Sequence, residues 1–482
     1  MSPPTKNGSL GAPMQRGVDH GLHCPQCGAR FRSEANPEDL DYAEFDVLGC
    51  QCSSYPVVAG IPILKKESVG AEQQSGEELI KHIRQGQYGE ALRAMLLPAP
   101  PPEATFAPKL MTRLPRPLRT RAIRFYAQRW RIPRWRAEAA KFLESSGRTA
   151  TACDAMEIYL HRFRPLSQSI YNYFVFRFGV PRHLVSLSFA SLISEPEGPI
   201  LELGCGCGHI TRTLLDRANG QRVIGIDATF WPLWVAKTWV APQAQYVLCD
   251  ADRSLPFSTH SFEVVFSTDA FHYFPDKANA VREARRVIRP GGSLFLVSLN
   301  NAALAPSGTN YRLTPEGYER LVADMPHCLV TDADVLERYL RKQGPALGQD
   351  GDPLRLAQEL RASLVASQNQ AMFRDHGTFS SWPHARGTLQ INPLYLEKGK
   401  NATSIALERR FPSDSFATDH PECKDYMSEQ AQISYAGLSD LEAGRRTPEI
   451  ESLIGRFVVL GMPERYLPTG RSTGHLASST RA

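Results

Sequence analysis

The sequence predicts an α/β protein built on a parallel, doubly wound sheet, and three observations carry that expectation. Between Pro199 and Asn300, short apolar runs alternate with segments of helical period. The first run, Ile200-Leu201-Glu202-Leu203, passes directly into the bend Gly204-Cys205-Gly206-Cys207-Gly208. The second and third runs end on Asp227 and Asp250. Such alternation marks βαβ units, whose ligands sit beyond the carboxyl ends of the strands.

Taken in order, a helix is expected over 210–218, a strand over 222–226, a helix over 231–239 and a strand over 244–249. A strand at 262–266 and a helix at 277–288 follow; the turn Arg289-Pro290-Gly291-Gly292 then leads into a strand at 293–299. Beyond it the regularity lapses. Helical patterns at 315–325, 333–342 and 353–370 read as an insertion, 301–386, placed to cap a substrate site. Segments 389–396 and 403–410 flank the polar turn Lys398-Gly399-Lys400-Asn401 and are expected to form the antiparallel hairpin that closes the sheet.

At 482 residues the chain exceeds one ordinary domain. The division expected is a disordered leader (1–20), a small cysteine-bearing unit (21–66), a helical arm (67–195), the α/β domain (196–411) and an extension (412–482). The arm contains the linker Pro98-Ala99-Pro100-Pro101-Pro102. A net charge of +5 sets up no field that demands a polyanionic partner, so any such partner has to be argued from local clusters. The longest apolar runs are too short to span a bilayer, and the leader lacks the apolar core of a secretory signal. A cytoplasmic protein is expected.

A bend without Cβ atoms lets the backbone approach a ligand closely. Asp227 is placed to accept both hydroxyls of a ribose. Asp250 is placed to accept from an adenine amino group, with the Ala251 amide on a ring nitrogen. This pattern, with Leu255-Pro256-Phe257, Ser261-Phe262-Glu263-Val264-Val265 and the Arg286–Gly292 turn, resembles the class I S-adenosylmethionine (SAM)-dependent methyltransferases over about 100 residues. The resemblance implies a Rossmann-like sheet. It implies further that Glu202, Gly204, Cys205, Gly206 and Gly208 shape the methionine pocket, Asp227 holds ribose and Asp250 holds adenine. A nicotinamide dehydrogenase would have its third glycine one residue later.

The loop Ser267-Thr268-Asp269-Ala270-Phe271-His272-Tyr273-Phe274 borders the methyl-transfer position in that family. His272 is the candidate base and Asp269 the orienting or SAM-contacting group; a purely packing role for His272 is the competing reading. Cys205 and Cys207 read as small residues in a tight turn rather than as metal ligands. Tyr171 and Tyr173, just before the first strand, are placed to line a substrate cavity, whereas the neighbouring Phe residues read as core.

Cys24-Pro25-Gln26-Cys27 and Cys50-Gln51-Cys52 form two thiol knuckles 22 residues apart. Four thiolates suit a closed, structural zinc, and a unit of this size needs such a staple. With the tail from Tyr55 to Leu64, the segment resembles small zinc ribbons fused to, or assisting, methyltransferases. Cys52 stands in a C-x-C knuckle, one residue shorter than the usual C-x-x-C. Residues 113–136 carry nine arginines and no acid, interleaved with Phe125, Tyr126, Trp130 and Trp135. That tract suits nucleic acid or an anionic surface, and equally a solvated helix face.

The function expected is methyl transfer from SAM to a small molecule, of the kind a specialised metabolite represents, by direct displacement. Three alternatives stand beside it: an RNA methyltransferase using the ribbon and arginine tract, a SAM-fold enzyme with other chemistry, and a non-catalytic scaffold.

Overall fold

The computed structural model describes residues 21–36, 42–65, 75–96, 150–158, 168–304 and 311–468, with scattered positions between 115 and 144. The leader, the proline linker and most of the arginine tract lie outside the described residues.

The N-terminal unit is a four-stranded antiparallel sheet of β1 (Arg32–Ser33), β2 (Asp46–Gly49), β3 (Ser54–Val58) and β4 (Ile61–Pro62). Two helices follow, α1 (Gly76–Arg84) and α2 (Tyr88–Leu96), with Gly86 in the left-handed region between them. A full capping box at Ser75 and Glu78 starts α1, whose Leu79, Ile80 and Ile83 are buried against the ribbon. The arm's first helices are therefore packed, not extended.

The central sheet has seven strands. They are β5 (Ile200–Leu203), β6 (Val223–Asp227), β7 (Gln245–Leu248), β8 (Phe262–Thr268), β9 (Ile288–Asn300), β10 (His327–Thr331) and β11 (Arg361–Ser367). Their order across the sheet is β10-β11-β9-β8-β5-β6-β7. β5 pairs in parallel with β6 and β8, as do β6 with β7 and β8 with β9. All four residues of β5 are buried, as befits a strand covered on both faces. Before β5 lie α3 (Ala152–Met156), α4 (Gln168–Val175) and α5 (Pro181–Ala190); within the sheet domain come α6 (His209–Arg217), α7 (Phe230–Val235) and α8 (Lys277–Val287).

The antiparallel closure comes from a different place than the sequence suggested. β11 runs antiparallel to β9 and to β10, so both closing strands lie inside the segment read as a cap. They are joined through helices α9 (Asp332–Leu340) and α10 (Pro353–Gln358), not a tight hairpin. Segment 353–370, expected to be helical from its pattern, is a helix only over Pro353–Gln358 and a strand over Arg361–Ser367. Burial decides this: Ser363 and Ser367 fit there by bonding Asp332 and Ser293. The hairpin near residue 400 does form, as β13 (Tyr395–Lys400) and β14 (Ser404–Arg409), but it pairs with β15 (Gln430–Ser434) in a separate sheet. β12 (Thr388–Ile391) pairs antiparallel with β16 (Val459–Met462) in a two-stranded sheet.

The ribbon extends the sheet past β7. Leu64 N donates to Leu248 O at 2.8 Å, and His23 N to Pro256 O at 2.9 Å, so a sheet edge that would otherwise be open is covered. No helix among the described residues is long and apolar enough to cross a membrane.

Candidate active site

The bend after β5 is held by backbone geometry that a side chain would break. Gly204 sits at φ +70° and a Cβ there would lie 2.5 Å from Ala270 Cβ; Gly208 sits at φ +77°, and its Cβ would lie 2.8 Å from Ala236 Cβ. Asp227, at the end of β6, accepts from Gly206 N (3.1 Å) and Thr229 N (2.9 Å), tying the bend to the neighbouring strand end. Glu202 accepts from Thr211 Oγ1 at 2.5 Å, and its burial pushes the carboxyl up to about 8. Burial raises Asp227 as well.

A cavity of about 530 Å³ opens over this bend. Glu202, Gly204, Cys205, Gly206, Asp227, Asp269 and His272 all line it, so most of the residues expected at a SAM site meet in one place. Three do not reach its wall. Gly208 packs against α7 and the turn beyond it, Ala251 is buried in the core, and Asp250 forms an ion pair with Lys65 of the ribbon (Nζ–Oδ1 2.6 Å). The carboxylate expected to read adenine is thus engaged by the N-terminal unit. Tyr173 and Phe174 of α4 line the cavity, whereas Tyr171 is buried in the core.

The far wall differs from the expected cap. Among the described residues, none of 301–386 lines the cavity; Ser413, Ser415, Phe416, Asp419 and His420 do. They belong to or flank the short helix α11 (Asp414–Asp419) in the C-terminal extension. Nothing in the local sequence marks that segment, because its role depends on a long-range return of the chain.

Asp269 occupies the left-handed region at φ +50°, an uncommon place for this residue. Its Oδ2 accepts from Arg177 Nη1 (3.1 Å) and Arg182 Nη1 (3.2 Å), and the carboxylate is 2% exposed. Burial opposes ionisation, but the Arg182 and Arg177 guanidiniums hold the carboxyl well below its usual range. His272 is buried; burial pushes it down to about 4 against the pull of Asp269. Burial, with Arg182 and Arg177 nearby, takes His420 down to about 3. His209, which also lines the cavity, is pushed down to about 3 by burial, so all three imidazoles there are neutral near pH 7. Arg177 stands inside the aromatic tract that the sequence singled out; Arg182 and His420 carried no signal of their own.

The four ribbon thiols converge. The Sγ atoms of Cys24, Cys27, Cys50 and Cys52 lie within 4.8 Å of one another. Sγ–Sγ separations are 3.6 Å for Cys24–Cys52, 3.7 Å for Cys27–Cys50 and 3.5 Å for Cys50–Cys52. A tetrahedral zinc with Zn–S bonds of about 2.3 Å requires separations of about 3.8 Å, so the thiols fit that ion with little movement. Burial opposes ionisation of Cys24, yet the Cys27 and Gln26 amides bring it down to about 6. Among the described residues, no other group of cysteine, histidine and acidic side chains is arranged to hold a metal.

Sheet order, the glycine bend and Asp227 at the end of β6 agree with the Rossmann-like class I fold that the sequence resemblance implied. Residues 201–296 match the family model described as a methyltransferase domain. The ubiquinone biosynthesis O-methyltransferase of Citrobacter koseri is 28% identical over 151 residues, covering 28% of this chain and 62% of that protein. The Escherichia coli O157:H7 protein of the same name has the same identity and coverage. The chain thus spans about three-fifths of the length of these relatives. Among solved structures, a methyltransferase from Mesorhizobium loti is 18% identical (TM-score 0.30; 39% of this chain, 99% of that one). The geranyl diphosphate C-methyltransferase of Streptomyces coelicolor A3(2) is 15% identical (TM-score 0.29; 38% and 75%).

Proposed function

We propose that this chain transfers the methyl group of SAM to a small-molecule acceptor by direct displacement, giving S-adenosylhomocysteine (SAH). The observation that carries the reading is the single cavity of about 530 Å³ that runs from the glycine bend to His272, walled by α4 and the 413–420 segment. Its size is in the range of small-ligand sites. Glu202, Cys205, the bend and Asp227 hold the cofactor end; when bound, SAM supplies an electrophilic methyl carbon. Asp269, locked by two arginines, fixes the loop that presents His272. The neutral His272 accepts the acceptor's proton as the new bond forms. In this reading the ribbon holds one structural zinc on Cys24, Cys27, Cys50 and Cys52. Four protein ligands leave that ion no open position for catalysis.

The test is incubation of the full chain with methyl-labelled SAM and a metabolite extract, with and without RNase. Label in a low-molecular-weight product, insensitive to RNase and accompanied by SAH, is the expected result. RNase-sensitive label would replace the acceptor class with RNA, and methylthioadenosine in place of SAH would replace the chemistry.

A further inference from the structure

Arg182 and His272, which both line the cavity, each keep one buried side-chain nitrogen without a hydrogen-bond partner, Nε and Nδ1; Arg312 and Arg361, which do not reach its wall, do so at Nε. Arg182 lines the cavity itself, with its side chain 18% exposed. Arg361, at the start of β11, stands within electrostatic reach of Arg182 and Asp269, and Arg312 does so for His272. Arg177 completes the group. It is fixed by Asp269 and lies with its guanidinium carbon 4.6 Å from the centre of the Tyr173 ring.

The charges here do not balance in the buried shell. Beside these four guanidiniums stand three buried carboxyls, Asp269, Asp332 and Glu202, the last held toward its protonated form by burial. Asp269 serves Arg177 and Arg182 through one oxygen. Asp332 is occupied by the Ser298 and Ser363 hydroxyls (2.7 and 2.6 Å), and burial pushes it toward its protonated form. Asp419 faces Arg182, and Glu422 faces Arg361, from the extension; the first is exposed and the second half-buried, so water screens both. Buried donors without partners are rare, and guanidiniums are built to take carboxylate or phosphate oxygens in pairs.

We propose that Arg182, backed by Arg361, forms an anion subsite at the acceptor end of the cavity, and that the acceptor carries a carboxylate or phosphate group. The inference rests on the methyltransferase reading above and names the acceptor's class. The same chemistry is present in the methionine carboxylate of SAM, so the experiment separates the two sources.

Binding of SAH and of 5′-methylthioadenosine, which lacks the amino-acid end, is measured first on wild type and on Arg182→Gln and Arg182→Lys. Benzoate, phenyl phosphate and benzyl alcohol are then titrated at saturating SAH; these aromatic probes suit the Tyr173, Phe174 and Phe416 walls. One anionic probe is expected to bind about tenfold or more tighter than the alcohol. Arg182→Gln should erase that preference, Arg182→Lys should keep part of it, and SAH affinity should hold within about twofold in both, which also shows that the variants fold. Equal binding of the alcohol overturns the proposal, as does failure of both anions to bind wild type at millimolar concentration. Loss of SAH affinity without loss of methylthioadenosine affinity also overturns it, by assigning Arg182 to the cofactor's carboxylate. Absence of SAH binding to wild type is a distinct outcome: it removes the methyltransferase reading itself. Should Arg182→Gln fail to fold, the wild-type selectivity and the Lys variant decide.

Discussion

Two side chains in the cavity have ionisation behaviour that can be read directly. Glu202, pushed up to about 8 by burial, is largely protonated at pH 6 when the cavity holds no ligand. SAM brings positive charge beside it, which favours the ionised carboxylate and releases a proton. Affinity for SAM is therefore expected to rise between pH 6 and 8 and then level, with the rise lost in Glu202→Gln; calorimetric titration across that range checks it. In the folded chain without SAM the sign is opposite. A carboxyl raised above its unfolded value binds more protons in the native state, so its contribution to stability falls as pH rises from about 4.5 to 8. For His272, burial to about 4 leaves a neutral base that is correctly protonated but weak. His272→Gln is expected to lower kcat by about 10²-fold or more while leaving SAH affinity within about twofold. A loss confined to stability, with kcat intact, would make it a packing residue. At this scale the sequence was informative about the cofactor end. The glycines and strand-end acids follow from local backbone demands, and each is legible within a few residues. Arg182 and His420 were not legible, because their significance comes from what folds against them.

The elements divide in the same way. Strands β5 to β9 and their helices were readable because each strand holds a mainly apolar run beside a segment of helical period. β10 and β11 were not: alanine and serine at 362, 363, 366 and 367 give no strand period, and only the packed sheet shows that small side chains are needed there. The cost was expecting the cap in 301–386, whereas residues of 413–420 line the cavity. That reassignment has a sharp consequence. Ser415 lines the cavity on an exposed position of the wall, so Ser415→Trp should obstruct the acceptor without disturbing the sheet. We expect kcat/KM to fall by about tenfold or more with SAH affinity unchanged, read from steady-state rates and a binding isotherm. An unchanged kcat/KM would return the acceptor to another surface. The ribbon makes a second prediction. Its last residues bond to the edge of β7, so Cys24→Ser should release one zinc per chain, measured by elemental analysis. Hydrogen exchange at the Leu64 amide, which donates to Leu248 O, should speed up with it.

At the scale of the whole molecule, regions distant in sequence meet at one cavity: α4 supplies its aromatic wall and the extension another wall, while the ribbon docks beside it through Lys65 and Asp250. Tyr466 Oη, bonded to Phe174 O (2.6 Å) and placed 3.0 Å from His209 Nε2, ties α4 to the start of α6 after the glycine bend. The account's central claim is that the bend and Asp227 hold the adenosyl group inside this assembly. Titration of SAH into the intact chain, with wild type and Asp227→Asn side by side, tests it most directly. The account predicts one site per chain and a loss of about tenfold or more in Asp227→Asn, as expected when a charge-assisted bond to a ligand hydroxyl is removed. Equal affinity in the two proteins, or no binding in either, would contradict it.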